Sequence, residues 1–351
     1  MSESDPRRVY ARAPDQLADV VMAIPALQRL AERYEDGVVD VWCPIHWAPV
    51  LEMAELPAAV IPFRQTGAIW KTVAWLRGPR YEAAYLFTSS LSPAAAVWLA
   101  GVPMRRGVPT GRRRWSLTEW AALAEMPGEH RVSRFMAVAD PDWPGGQPPA
   151  PRVRVPQRAR EQFGQLIQGR VAGPLIGIAP GSAAPARRWP EGRFTALAGM
   201  LAAEGGTTVV FGGPGDEVLA ARVAAGAGGR GIDLGGRTSL AVFAAGLGAC
   251  DVLVTNDNGA MHLAMAVGTP VIGVFGSRAP EQTGPLMNGT DRVLWHSSLP
   301  CAPCWRDTCP RRGPGTFLPD AREECLHLIS VEAVARTVRE QLGEVGALND
   351  V

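Results

Sequence analysis

Lysine is almost missing from this chain. Lys71 is the only one among 35 basic residues, so cationic chemistry falls to arginine. Genome base composition accounts for such a bias, and the planar arginine fork suits phosphate and carboxylate equally well. An excess of either charge is missing too. The net charge is +1, which excludes a generic binder of polyanions such as nucleic acid and leaves anion recognition to local clusters. No run of about 18 apolar residues occurs that could span a bilayer. The longest candidates, 93–104 and 259–276, are broken by Gly, Pro or polar residues. The N-terminal stretch MSESDPRRVYARAPD is polar and charged, unlike a secretory leader, and a cytoplasmic protein is expected. The six cysteines are then expected as reduced thiols or metal ligands, not disulfides. There is no G-x-x-x-x-G-K-[ST], so P-loop phosphoryl transfer has no support. The acidic Asp140-Pro141-Asp142 sits in a Pro-rich stretch and not after a buried strand, so it is not read as a metal–diphosphate device.

What is present is a β-α alternation. At 351 residues the chain exceeds one ordinary core, and two domains are the natural expectation. Apolar residues make up 47% and charged residues 20%, so a folded chain is expected. In the first half, strand patterns at 38–42, 59–62 and 84–87 alternate with helical patterns at 20–34, 45–55, 65–77 and 91–100. The stretch 141–156 is rich in Pro and Gly and marks the boundary. The second half restarts with a helix at 157–169. Strands follow at 175–179, 207–211, 251–255 and 270–275, with Gly-rich turns and helices at 191–203, 216–226, 239–248 and 259–266. A final helix starts at Ser330, a good N-cap, with Glu332 in its first turn. Its Val331, Val334, Ala335, Val338 and Leu342 share one face, which must lie against something. The expected fold class is α/β: two Rossmann-like halves facing a cleft, domains 1–150 and 151–329, and a C-terminal helix and tail at 330–351 that packs back.

Three turns carry the chemistry. In VTNDNGAMHLAMAVGTPVIGVFG (254–276) a strand ends at Thr255, and Asn256-Asp257-Asn258-Gly259 opens a helix. The first amides of that helix lack internal partners and form the positive end of its dipole, a natural seat for a diphosphate. An Asn/Asp cluster there is also a plain N-cap. IAPGSAAPARRWP (178–190) brings Ser182, a hydrogen-bond donor, and the paired Arg187 and Arg188 to a Gly turn. FGGPGDE (211–217) is a second Gly-rich turn, ending in Asp216 and Glu217. Elsewhere, Arg105, Arg106, Arg112, Arg113 and Arg114 crowd ten residues around Gly/Pro turns, as a solvated loop or an anion cradle would. Cys301, Cys304, Cys309 and Cys325, spaced C-x2-C-x4-C-x15-C, could hold structural zinc or iron, or pack a loop as reduced thiols. Cys43 and Cys250 read as small core residues.

The 254–276 block resembles glycosyltransferase family nine, the heptosyltransferases. Asn256, Asp257, Gly259, His262, Ala264, Ala266, Gly268, Pro270, Phe275 and Gly276 fit its donor-site pattern, with Asn258 where Ser or Thr is usual. The P-G-S…R-R-W-P turn matches the family too, as does the stretch Asp19, Val20, Pro25, Ala26, Leu27. The resemblance implies a GT-B fold and an inverting transfer of heptose from an ADP-sugar, with no cofactor required for the chemistry. It places Asp257, Asn258, Gly259 and His262 around the diphosphate and sugar, Arg187 at the phosphate-binding cation with Arg188 beside it, and Asp216 at the ribose. It implies that Asp19 is the general base. Ala18 replaces a family Gly, which requires position 18 to avoid positive φ. The arginine cluster would then receive the carboxylates or phosphates of an acidic glycolipid, in peripheral contact with the cytoplasmic face of the inner membrane. On the same scaffold, a sugar-nucleotide epimerase or hydrolase, or a silent nucleotide-sugar binder, are the rival readings.

Overall fold

A computed structural model describes residues 7–64, 69–121, 128–286, 289–309 and 324–349. Two compact units emerge, Met1–Arg154 and Val155–Val351, so the change falls inside the Pro/Gly-rich stretch 141–156.

The first unit is a parallel sheet of β1 (Arg8–Arg12), β2 (Val38–Pro44), β3 (Ala59–Phe63), β4 (Ala83–Leu86), β5 (Met104–Gly107) and β6 (Glu119–Trp120), in the order β3-β2-β1-β4-β5-β6. Helices α1 (Leu17–Arg33), α2 (Ala48–Met53), α3 (Ile69–Arg77), α4 (Leu91–Leu99) and α5 (Arg131–Ala139) connect and cover it. The structure differs from the sequence expectation at 102–119. The arginine-rich segment is not all loop, because Met104–Gly107 extends the sheet beside β4 and Gly111–Ser116 makes a 3-10 turn. Of the helix expected at 65–77, residues 65–68 lie outside the described residues.

The second unit repeats the plan with β7 (Leu175–Ala179), β8 (Thr207–Gly212), β9 (Gly231–Gly235), β10 (Val252–Asn256), β11 (Val271–Val274) and β12 (Arg292–Leu294), ordered β12-β11-β10-β7-β8-β9. Its helices are α6 (Gln157–Leu166), α7 (Glu191–Ala203), α8 (Glu217–Gly226), α9 (Leu240–Ala249), α10 (Gly259–Val267), α11 (Pro280–Thr283), α12 (Glu324–His327) and α13 (Val331–Asn349). Every residue of β7 and β10 is buried, as parallel strands covered on both faces require. Ser330 caps α13 by accepting from the Ala333 amide at 3.1 Å, and Val334, Ala335 and Val338 enter this unit's core beside Trp189 and Phe194.

Counted within each unit, both sheets have the strand order 3-2-1-4-5-6. That order reverses between β1 and β4 in one unit and between β7 and β10 in the other. Helices leave on opposite faces there, and a crevice opens at the carboxyl ends of the strands.

Candidate functional site

The crevice of the second unit is made by the loops after β7, β8 and β10. Asn256 and Asn258 hold it in shape. The Asn256 amide donates to the Pro180 carbonyl at 2.7 Å, and its oxygen accepts from the Trp189 amide at 2.9 Å. Asn258 donates to the Gly181 and Ala179 carbonyls at 2.7 and 3.3 Å. Its oxygen caps α10, accepting from the Met261 amide at 3.2 Å and from the Thr255 hydroxyl at 3.1 Å. The polar atoms of Asn258 are thus committed to the chain itself. Where the sequence suggested a ligand contact, the structure shows a fastener between the β7 turn and the helix mouth.

Around this clamp five expected residues converge. Arg187 Nη1 lies 3.6 Å from the Asp257 carboxylate and 3.5 Å from its carbonyl. Arg187 Nε and the Ser182 hydroxyl are buried without a hydrogen-bond partner among the described residues, which is costly unless another molecule completes them. Asp216 reaches over the β7 turn. A Cβ on Gly181 would stand 2.5 Å from its carboxylate, and the Gly213 amide donates to it at 3.2 Å. Gly259 is the first residue of α10, beside Asp257. Arg188 is exposed and donates to the Ser182 carbonyl at 2.5 Å, so it braces the loop. His262 lies in the first turn of α10 and is fully buried. Taken together, the crevice offers the amino-terminal end of α10, a hydroxyl, a cation and a carboxylate, which is a set for a nucleoside diphosphate.

The crevice of the first unit is charged in a different way. Asp19 lies in the first turn of α1, and Ala18 is inside the same helix, so its backbone is right-handed and the missing glycine costs nothing. Arg131, at the start of α5, donates to both Asp19 oxygens at 3.1 and 3.2 Å. Asp19, Thr88, Ser90, Arg131, Arg134 and Phe135 line a cavity of about 690 Å³. Arg131 and Arg134 were not singled out from sequence. Their i,i+3 spacing after His130, the helix N-cap, was the available signal.

The five-arginine cluster is dispersed. Arg105 donates to the Ser116, Val102 and Pro103 carbonyls, and Arg106 to the Val138 and Ala137 carbonyls and Glu119. Both are fasteners of the sheet edge and not parts of an open cradle. Arg113 is 1% exposed and donates to the Thr88 carbonyl, and burial lowers its pKa to about 10. Arg112 and Arg114 remain exposed. Asp140, which accepts from Arg29 at 2.8 Å and Arg33 at 3.2 Å, is a structural anchor, in keeping with the dismissal of the acidic triplet.

Cys43 and Cys250 are buried as expected. Burial, and then the charge of Cys309, Cys304 and Cys301 nearby, push the Cys325 thiol up to about 11. No three His, Cys, Asp or Glu side chains among the described residues are assembled as a metal site.

Comparison with known proteins gives the family and the fold. The profile of "Glycosyltransferase family 9 (heptosyltransferase)" matches residues 69–313. Lipopolysaccharide heptosyltransferase 2 of Escherichia coli K12 is 30% identical over 301 residues, covering 80% of this chain and 85% of that protein. The solved E. coli ADP-heptose LPS heptosyltransferase II superposes with a TM-score of 0.79 at 24% identity, covering 96% and 99% of the two chains. E. coli heptosyltransferase WaaC, solved with ADP, gives a TM-score of 0.67 at 19% identity over 95% and 99%. These two solved structures share the fold of this chain, the two-domain α/β arrangement known as GT-B.

Proposed function

The chain belongs to glycosyltransferase family 9, the heptosyltransferases, and is a glycosyltransferase; from that premise we propose that it moves a heptose from ADP-L-glycero-D-manno-heptose to a hydroxyl of a lipopolysaccharide core acceptor. The observation that carries this reading is the mouth of α10, where Ser182, Arg187, Asp216 and Asp257 gather on a turn that Asn256 and Asn258 tie to the helix start.

In this reading the α10 amides with Gly259, and the Ser182 hydroxyl, take the pyrophosphate, and Asp216 takes the ribose hydroxyls. Asp19 accepts the proton of the acceptor hydroxyl. The freed oxygen attacks the anomeric carbon, the carbon–oxygen bond to the diphosphate breaks with inversion, and ADP leaves with the electron pair. Arg187 and the helix dipole offset the charge that builds on ADP, so the chemistry needs no cofactor. Arg131 and Arg134, with exposed Arg112 and Arg114, receive the anionic groups of an acidic glycolipid. Arg131 is held by Asp19 until an acceptor anion competes for it. Among the described residues no helix is long and apolar enough to cross a membrane. The proposed location is the cytoplasm, at the inner face of the inner membrane. Metal analysis of the purified full chain beside a Cys301→Ser/Cys304→Ser variant checks the zinc or iron reading of the four cysteines, which the arrangement of the described side chains does not itself assemble.

A thermal-shift panel of nucleotide sugars tests the donor, because ligand binding stabilises the folded state by mass action. ADP-heptose is expected to shift the transition most, and transfer to a lipopolysaccharide core acceptor to follow. A preference for UDP-sugars overturns the donor, and free heptose or epimerised nucleotide formed without an acceptor overturns the transfer.

A further inference from the structure

The surface of the first unit carries an uneven deposit of tryptophan and positive charge. From residue 64 to 118 six basic residues are exposed, Arg64, Lys71, Arg77, Arg80, Arg112 and Arg114, against one acidic residue, Glu82, in a chain whose net charge is only +1. The same stretch holds four exposed tryptophans: Trp70 at 69%, Trp75 at 60%, Trp98 at 45% and Trp115 at 54%. The fold brings them to one side. α3 and α4 pack side by side over the core of the first sheet, and Arg77 at the end of α3 donates to the Leu99 carbonyl at the end of α4. The Gly111–Ser116 turn lies against α4, where Trp98 and Trp115 meet edge to face at 4.9 Å. Trp75, Lys71 and Arg64 line a shallow cavity of about 380 Å³. The second unit offers a contrast, since its exposed large apolar side chains are the scattered aliphatics Leu166, Val171, Val218 and Leu328.

The tryptophan half of this pattern does not suit water. An indole exposed by more than half is an unfavourable use of a large apolar surface, and several together mark an interaction site. Tryptophan beside arginine and lysine is the mixture that settles at a bilayer interface: the rings enter the headgroup region while the cations meet anionic lipid. A protein partner large enough to cover this face would need matching acidic residues. A second copy of this chain, presenting the same basic face, would be repelled.

We propose that the α3–α4 face and the Gly111–Ser116 turn form a docking surface for an anionic phospholipid bilayer, with Trp70, Trp75, Trp98 and Trp115 as interfacial anchors. This deepens the acceptor reading, since a lipid-anchored acceptor is met at a bilayer. It also extends beyond it, because vesicle binding is measured without any transfer assay and the two readings fail separately.

The test is co-sedimentation of the full chain with vesicles of phosphatidylcholine alone or containing about one-quarter phosphatidylglycerol. Binding is expected only with the anionic lipid and is expected to fall when sodium chloride is raised to about 0.5 M. The Trp70→Ser/Trp75→Ser pair should weaken vesicle binding about tenfold, with transfer to a deacylated soluble acceptor and the melting temperature unchanged. Leu166→Ser, an exposed apolar control in the second unit, should bind vesicles as the native chain does. Four results would each overturn the proposal: no binding by the native chain, equal binding to neutral vesicles, full binding by the double variant, or an equal loss in the Leu166 control.

Discussion

The two units share a strand order and differ in what fastens their crevices. In the second unit the fasteners are neutral amides, Asn256 and Asn258, which tie a turn to a helix mouth and leave backbone groups and Asp216 to do the recognising. In the first unit they are arginines and carboxylates, Arg131 with Asp19 and Arg29 with Asp140. A mouth built from backbone accepts a fixed, invariant chemical group such as a pyrophosphate. One built from long charged side chains can exchange partners. The donor and acceptor roles proposed above follow that difference.

The sharpest way to break the comparison is Asp19→Asn. If the first unit supplies the base and the second the donor seat, transfer should fall about a thousandfold while ADP affinity, measured by calorimetry, stays unchanged. A parallel loss of ADP binding would merge the two roles. Next in size is Asn256→Ala, which strips partners from the Pro180 carbonyl and the Trp189 amide, both in the buried clamp. Urea unfolding should show a loss of about 2–3 kcal/mol, and ADP affinity should drop with it, since the turn that carries Ser182 is released.

The strength of each fastener also explains what could be read ahead of the structure. β7, β10 and β11 were legible because parallel strands covered on both faces write continuous apolar runs, and α10 because Asn258 and Gly268 punctuate its ends. β5 was not: Met-Arg-Arg-Gly looks like a loop until the carbonyls of Ala137 and Val138 are brought to Arg106. β1, β9 and β12 are similarly short or charged. For the candidate site, the turns that resemble a known family announced themselves locally. The Arg131–Asp19 pair joins residues 112 apart, so no local pattern could show it. Asn258 was legible as a member of the motif, but its part as a clamp depends on partners more than 70 residues away.

Arg131→Ala sharpens the comparison further. Freed from its partner, Asp19 is kept, so kcat should fall little, whereas the acceptor KM should rise about tenfold and the donor KM should not move. Arg131→Lys should recover only part of the loss, because a single ammonium cannot reproduce the fork. A kcat loss as large as that of Asp19→Asn would instead make Arg131 a pure positioning residue for the base.

The smallest effect concerns stability and its pH dependence. Burial would raise the Asp140 carboxyl, but the hydrogen bond from Arg29, the Asp142 amide and the charges of Arg29 and Arg33 outweigh it and hold the pKa below its ordinary value. A carboxylate whose folded pKa is depressed contributes stability that is present above the unfolded value, near 4, and is lost as pH falls through the folded value. The two guanidiniums are partly in water, which limits the contribution to about 1 kcal/mol. Asp140→Asn should therefore lower the urea midpoint of the first unit's transition at pH 7, and the gap to the native chain should close on acidification below pH ~4. The Asn256 clamp carries no titrating group, so the deficit of Asn256→Ala should persist across the same pH range. A gap that stayed constant for Asp140→Asn as well would mean that charge is not what fastens the first unit.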